Sequence, residues 1–228
     1  VAIGLNHRTA PLDLLERMTI GEADLPKALH ALRARPHITE VVVLSTCNRT
    51  EVYAYVEKFH GAYQDIRDAL SELCHVLPED FSHHLYAHYD IDAVRHLFGV
   101  ASGLDSAVLG EHEVLGQVRR AWELAQADGV AGPAIGTLFR HALEVGKRVR
   151  TDTSIGRHTT SVSQAAVQMA SDRLGGLAGR SVLVLGAGEM GEGMVVALAE
   201  AGVARVSIAN RTWQTAVDLA ERVGGEPV

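Results

Sequence analysis

Residues 40–56, EVVVLSTCNRTEVYAYV, read as two β-strands joined by a polar knot that holds Cys47. Glu40–Leu44 is dense in β-branched residues, and Glu51–Val56 alternates in the manner of a strand with one buried face. Between them lie Ser45, Thr46, Cys47, Asn48, Arg49 and Thr50. A connection this short puts the thiol at a sheet edge, fixed by backbone on both sides. A thiol is mostly protonated at neutral pH, and a nearby guanidinium or hydrogen-bond donor stabilises the thiolate. Arg49 is two residues on, and Ser45, Thr46 and Asn48 carry donors. A lone cysteine in an apolar strand packs as core. One set among Thr, Asn and Arg has a reactive alternative, and both readings stand at this point.

Outward from this stretch, Val1–Asn6 reads as a first strand, and Pro11 opens a short helix over LDLLERM. Glu22–Arg35 is a second helix with Leu25, Leu29 and Leu32 on its apolar face. After the β–Cys–β stretch comes a helix over Tyr63–Leu77, a break at Pro78-Glu79-Asp80 and a fourth strand over Leu85–Tyr89. The order β-α-β-β-α-β is that of a ferredoxin-like split βαβ domain with an antiparallel sheet, placed at residues 1–90.

From Asp90 the pattern turns helical. A helix from Asp92 precedes a glycine-punctuated turn region at 103–111, and helices follow over Glu113–Asp128, Ile135–Arg150 and Thr160–Leu174. The last is capped near Thr159–Ser161. This section is expected to bridge two domains and to pack on the first. Arg180–Val228 then offers a buried parallel strand, SVLVLG, a helix, a second strand, RVSIANRT, and a helix over Thr212–Gly224. The expected fold class is α/β: a ferredoxin-like domain and its trailing helices over 1–155, then the start of a Rossmann-type domain over 156–228.

Composition excludes some classes. The chain has 228 residues, 47% hydrophobic and 21% charged, with a net charge of −7. An acidic chain grips nucleic acid only through a local basic patch. Arg119-Arg120 and the group Arg140, Lys147, Arg148, Arg150 and Arg157 are the candidates. There are two cysteines; Cys74, in SELCHVL, reads as core. Two unrelated cysteines and no signal segment point to a reducing cytoplasm. No apolar run approaches the length of about 18 residues that spans a bilayer.

Gly186-Ala187-Gly188-Glu189-Met190-Gly191 fits G-x-G-x-x-G between a strand and a helix, the context in which backbone N–H groups and a helix N-terminus receive a pyrophosphate. The second strand ends in Asn210-Arg211-Thr212, where an acidic residue would select NAD. Arg211 can grip a 2′-phosphate instead, which predicts NADPH. His96 falls between the faces of its helix and has no assignable role from pattern alone. His83, His84 and His88 lack carboxylate or cysteine partners at ligand spacing, so no metal site is expected.

The blocks GLNHRTAP, VVLSTCNRTEVY, HLFGVASGLDSAVLGE, LGQV, GKRVRTDTSIG, TSVSQAAV, LVLGAGEMG and IANRT together resemble the glutamyl-tRNA reductase family, in the family's order and over nearly the whole chain. The resemblance implies NADPH-dependent conversion of glutamyl-tRNA(Glu) to glutamate 1-semialdehyde, the first step of five-carbon-route tetrapyrrole synthesis. By resemblance Cys47 attacks the aminoacyl ester to form a thioester, which hydride then reduces. Thr46, Cys47, Asn48 and Arg49 match one substrate segment, with Arg49 on the substrate carboxylate. Ser106, Glu111, His112, Glu113 and Gln117 match a second; where the family has Pro-Gln, this chain has His112-Glu113. His96 matches a histidine that donates a proton or positions the ester, and Gly186–Gly191 matches the nucleotide loop. The resemblance also implies a homodimer, a C-terminal dimerisation domain outside the chain, which stops at Val228, and docking of an aminomutase. Two alternatives are a shikimate-dehydrogenase-like oxidoreductase, which needs no thiol, and a non-catalytic scaffold for tRNA or aldehyde.

Overall fold

The computed structural model describes residues 1–111, 113–156 and 161–228. It divides into two compact units, Val1–His158 and Thr159–Val228.

The first unit begins with β1 (Ala2–Asn6), α1 (Leu12–Met18) and α2 (Leu25–Arg33). The hairpin β2 (Ile38–Thr46) and β3 (Arg49–Val56) follows, then α3 (Phe59–Cys74), the one-turn α4 (Pro78–Phe81) and β4 (Tyr86–His88). Pro78 starts a short turn of helix, as its fixed φ favours at a first helical position, and does not break α3, which already ends at Cys74 with left-handed His75 as its cap. The strands form one antiparallel sheet in the order β2-β3-β1-β4, the ferredoxin-like arrangement.

The alternating pattern of β3 predicts one wet face, and the structure corrects this: Arg49 to Ala54 are all buried. Three further helices, α5 (Asp90–Ala101), α6 (Glu113–Ala127) and α7 (Pro133–Asp152), belong to the same core as the sheet. Thr50 hydrogen-bonds Met18 at the end of α1, while its neighbour Tyr53 packs edge-on against Phe139 of α7, 5.4 Å away. Successive β3 side chains thus enter two different packed layers. Arg49 and Glu51, which the pattern would leave in water, lie at 2% and 0% exposure.

Glu40 docks α7 onto this sheet. Its carboxylate is buried and accepts the free N–H groups of Ala134, at 3.2 Å, and Ile135, at 2.7 Å, in the first turn of α7. A carboxylate there also meets the positive end of the helix. Glu40→Ala orphans those donors, and urea denaturation is expected to show a loss of about 1–3 kcal/mol; an unchanged midpoint refutes the docking role.

The second unit holds α8 (Val162–Leu174), β5 (Ser181–Leu185), α9 (Glu189–Glu200), β6 (Arg205–Ala209), α10 (Trp213–Val223) and β7 (Glu226–Pro227). The strands are parallel in the order β5-β6-β7, so a third short strand joins the two expected ones. Ser161 caps α8 in a reciprocal capping box with Gln164. The expected burial of β5 is not found: Leu183 and Leu185 are exposed and line an apolar cleft of about 350 Å³ between β5, α8 and α9. β5 is the edge of this sheet, so its apolar content alone does not cover it.

Candidate active site

β2 and β3 pair through Thr46 and Arg49, which leaves Cys47-Asn48 as a two-residue turn. Cys47 is exposed at its tip. The Thr46 hydroxyl accepts from the Asn48 N–H at 3.2 Å, and the Asn48 carbonyl accepts from the His7 N–H at 3.0 Å. The loop after β1 is thereby laid along the thiol turn. Cys74 is half-buried, and burial pushes its thiol up to about 11, which leaves it a poor nucleophile.

Beneath the turn lies a buried charge network centred on Glu51. Its carboxylate accepts from Arg49 Nη1 at 2.7 Å and from the Tyr53 and Tyr86 hydroxyls, and it meets His96 Nε2 at 3.0 Å. Burial works against the charged carboxylate, but Arg49 and then His96 outweigh it and bring Glu51 from its ordinary 4.5 down to about 2. The two tyrosine hydroxyls move the other way, raised by burial and by the Glu51 charge. Gly4 of β1 makes the room. A Cβ there would stand 2.4 Å from the Thr50 carbonyl and 2.7 Å from Glu51 Cα.

Asp105 closes the network from the turn between α5 and α6. It takes Arg49 Nη1 at 3.3 Å, Arg8 Nη1 at 2.6 Å and Asn6 Nδ2 at 3.4 Å, while its backbone carbonyl takes Arg49 Nη2 at 2.6 Å. The other end of that turn is clamped by Arg150, which donates to the Gly110 carbonyl at 2.9 Å and to that of Glu111. Ser106 and Glu111 are buried within it, and burial, with Glu113 nearby, raises the Glu111 carboxyl. The Ser106 hydroxyl beside the Glu111 carboxylate works the other way and lowers it. Glu51, His96 and Asp105 bring three ligand-type atoms within 4.8 Å. Arg49 already supplies the positive charge that both carboxylates share, so we assign no cation there.

The structure brings Cys47, Thr46, Asn48, Arg49 and His96 to one end of the sheet and holds Ser106 and Glu111 beside them through Asp105 and Arg150. Glu113 is exposed and Gln117 half-buried on α6. His112 and Arg157 lie outside the described residues. Arg49 departs from the open guanidinium expected: its charge is already spent on Glu51 and Asp105, so a ligand carboxylate reaches it only by displacing Asp105. Glu51, Asp105, Tyr53 and Tyr86 are the site residues that pattern reading missed. Gly4 inside a strand was the available signal, since an interior strand glycine marks close approach of a neighbour.

In the second unit Gly186 has φ +107°, and a Cβ on Gly191 would stand 2.2 Å from the Gly186 carbonyl. Gly188 caps α9 with open space around it. Asn210 Oδ1 accepts from the Ala187 N–H at 3.2 Å and its amide donates to the Thr212 carbonyl, so Asn210 shapes the loop. Arg211 and Met190 are exposed, and Glu189 opens α9. This tight loop at a helix N-terminus fits a dinucleotide pyrophosphate.

Comparison with known proteins agrees with both halves. Residues 3–153 match the family described as glutamyl-tRNA(Glu) reductase, N-terminal domain, and residues 168–228 match shikimate / quinate 5-dehydrogenase. A glutamyl-tRNA reductase of Heliobacterium mobile is 43% identical over 99% of this chain and 51% of its own length. One from Desulforudis audaxviator is 46% identical, over 99% and 50%. The solved glutamyl-tRNA reductase of Methanopyrus kandleri aligns at 36% identity with a TM-score of 0.60, over 100% of this chain and 53% of that one. The chain thus spans about half the length of the relatives it matches. With the ferredoxin-like sheet, the thiol turn and a family match over two thirds of its residues, this chain belongs to the glutamyl-tRNA reductase family.

Proposed function

We propose that this chain carries the acyl-transfer site of an NADPH-dependent glutamyl-tRNA reductase, making glutamate 1-semialdehyde for tetrapyrrole synthesis. The observation that carries the reading is the exposed thiol of Cys47 at the tip of a two-residue turn, set over a buried, fully paired charge network. The Cys47 thiolate attacks the carbonyl of the glutamyl ester. A C–S bond forms, the C–O bond to the terminal ribose breaks, and the ribose oxygen leaves as a hydroxyl by taking up, through solvent, the proton that the thiol gave up. Thr46 and Asn48 hold the turn, and the Ser106 hydroxyl, beside Glu111, is offered to the substrate. Arg49 takes the glutamyl carboxylate in exchange for Asp105, and Glu111 and Gln117 complete that side. Glu51 fixes His96 through Nε2, which orients its ring toward the ester.

Gly186, Gly188 and Gly191 would hold the pyrophosphate of NADPH, and Arg211, with no carboxylate beside it, favours the 2′-phosphate. NADPH bound there supplies the hydride that reduces the thioester. No helix among the described residues is long and apolar enough to cross a membrane. We read the protein as a cytoplasmic homodimer that passes its aldehyde to an aminomutase.

The test is mass spectrometry of the chain after incubation with labelled glutamyl-tRNA and no NADPH. A glutamyl adduct on Cys47 is expected. Free glutamate released without any such adduct refutes the thioester route.

A further inference from the structure

An acidic chain that takes its substrate from a polynucleotide needs positive charge at the point where the strand arrives. Three guanidiniums are tied to the site. Arg49 is 2% exposed and paired with Glu51 and Asp105. Arg150 is half-buried and donates to the carbonyls of Gly110 and Glu111. Arg8 alone of the three stands in solvent, with its side chain 55% exposed. Its position is nevertheless fixed. Its backbone N–H donates to Asn6 Oδ1 at 2.9 Å, its Nη1 rests on Asp105 at 2.6 Å, and its neighbour His7 is bonded to the Asn48 carbonyl in the thiol turn.

A solvated ion pair of this kind adds little to stability, so its placement calls for another explanation. On the proposed substrate the nearest phosphodiester lies one ribose from the ester that Cys47 attacks. Resting on the reading above, we propose that Arg8 is the phosphate contact for the single-stranded acceptor end, with Asp105 as the positioning residue that aims its guanidinium. The remaining donors of the guanidinium face solvent and match a phosphate's oxygens in a way that a buried Arg49 cannot. The contact reads charge and position, not base identity.

The experiment compares acyl transfer to Cys47 from glutamyl-tRNA and from glutamyl-adenosine, which has the ester and ribose but no phosphodiester. Arg8→Gln is expected to lower the efficiency ratio of tRNA to nucleoside by about tenfold. It should also reduce the slope of log affinity against log salt by about 0.7. Arg8→Lys, which keeps the charge, should recover most of the salt slope. An unchanged ratio and slope overturn the proposal, as does an equal loss on both substrates, which would make Arg8 a prop for Asp105. If the unaltered chain forms no adduct with either substrate, the glutamyl-transfer reading itself fails, and the adduct experiment above identifies that case separately.

Discussion

Cys47→Ser is expected to abolish the covalent glutamyl adduct and to cut release of glutamate from its ester on the order of 1,000-fold. Serine keeps the shape of the turn and can still hydrogen-bond, so the variant should fold. It loses the nucleophile, because a hydroxyl ionises far above a thiol and its attack depends on a well-placed base. Cys74→Ser is the internal control. That thiol is half-buried, and burial holds it near 11, so its loss should leave the adduct intact. Single-turnover release of labelled glutamate, with circular dichroism to show folding, separates the two. Equal rates for the Cys47→Ser variant and the parent chain would remove the thiol from the mechanism.

The same hairpin shows what pattern reading reaches and where it stops. Strand order, the position of the turn and the helices that follow are local properties, and they are legible from β-branched density, glycine and proline. The exposed thiol follows from the short span between Leu44 and Glu51. The hub of the site does not. In a strand reading R-T-E-V-Y-A, arginine, glutamate and tyrosine fall on the polar face, and polarity alone assigns that face to water. The structure covers it with the core that includes Phe139 of α7 and Leu97 of α5. Which layers cover a sheet is decided by segments roughly 45 to 90 residues away, a non-local fact that no window around Glu51 contains. Asp105 is missed for the same reason: its partners Arg8 and Arg49 are 97 and 56 positions distant.

Glu51→Gln should therefore strike stability and the site together. The substitution keeps the volume and one acceptor, yet it removes the charge that offsets Arg49 and anchors His96, Tyr53 and Tyr86. Breaking one partner of a buried pair costs about 3–5 kcal/mol, because the other charge stays buried without compensation. The pH dependence has a definite sign. Glu51 is held at about 2 in the fold against 4.5 ordinarily, so its contribution, about 3 kcal/mol, is complete above 4.5 and is lost as the pH falls through 2. Glutamine does not titrate. Urea denaturation of the two chains should show the widest gap at neutral pH and a closing gap below about 4. Gly4→Ala supplies an independent route to the same network: its Cβ would press on Thr50 and Glu51 without altering any charge. That variant should lose stability by a margin that does not close in acid. A gap for Glu51→Gln that stays constant from pH 7 to pH 3 would show that Glu51 titrates alike in the folded and unfolded chains, so that Arg49 and His96 do not hold its charge. The anchoring of His96 and the ordering of the thiol turn would then need another source.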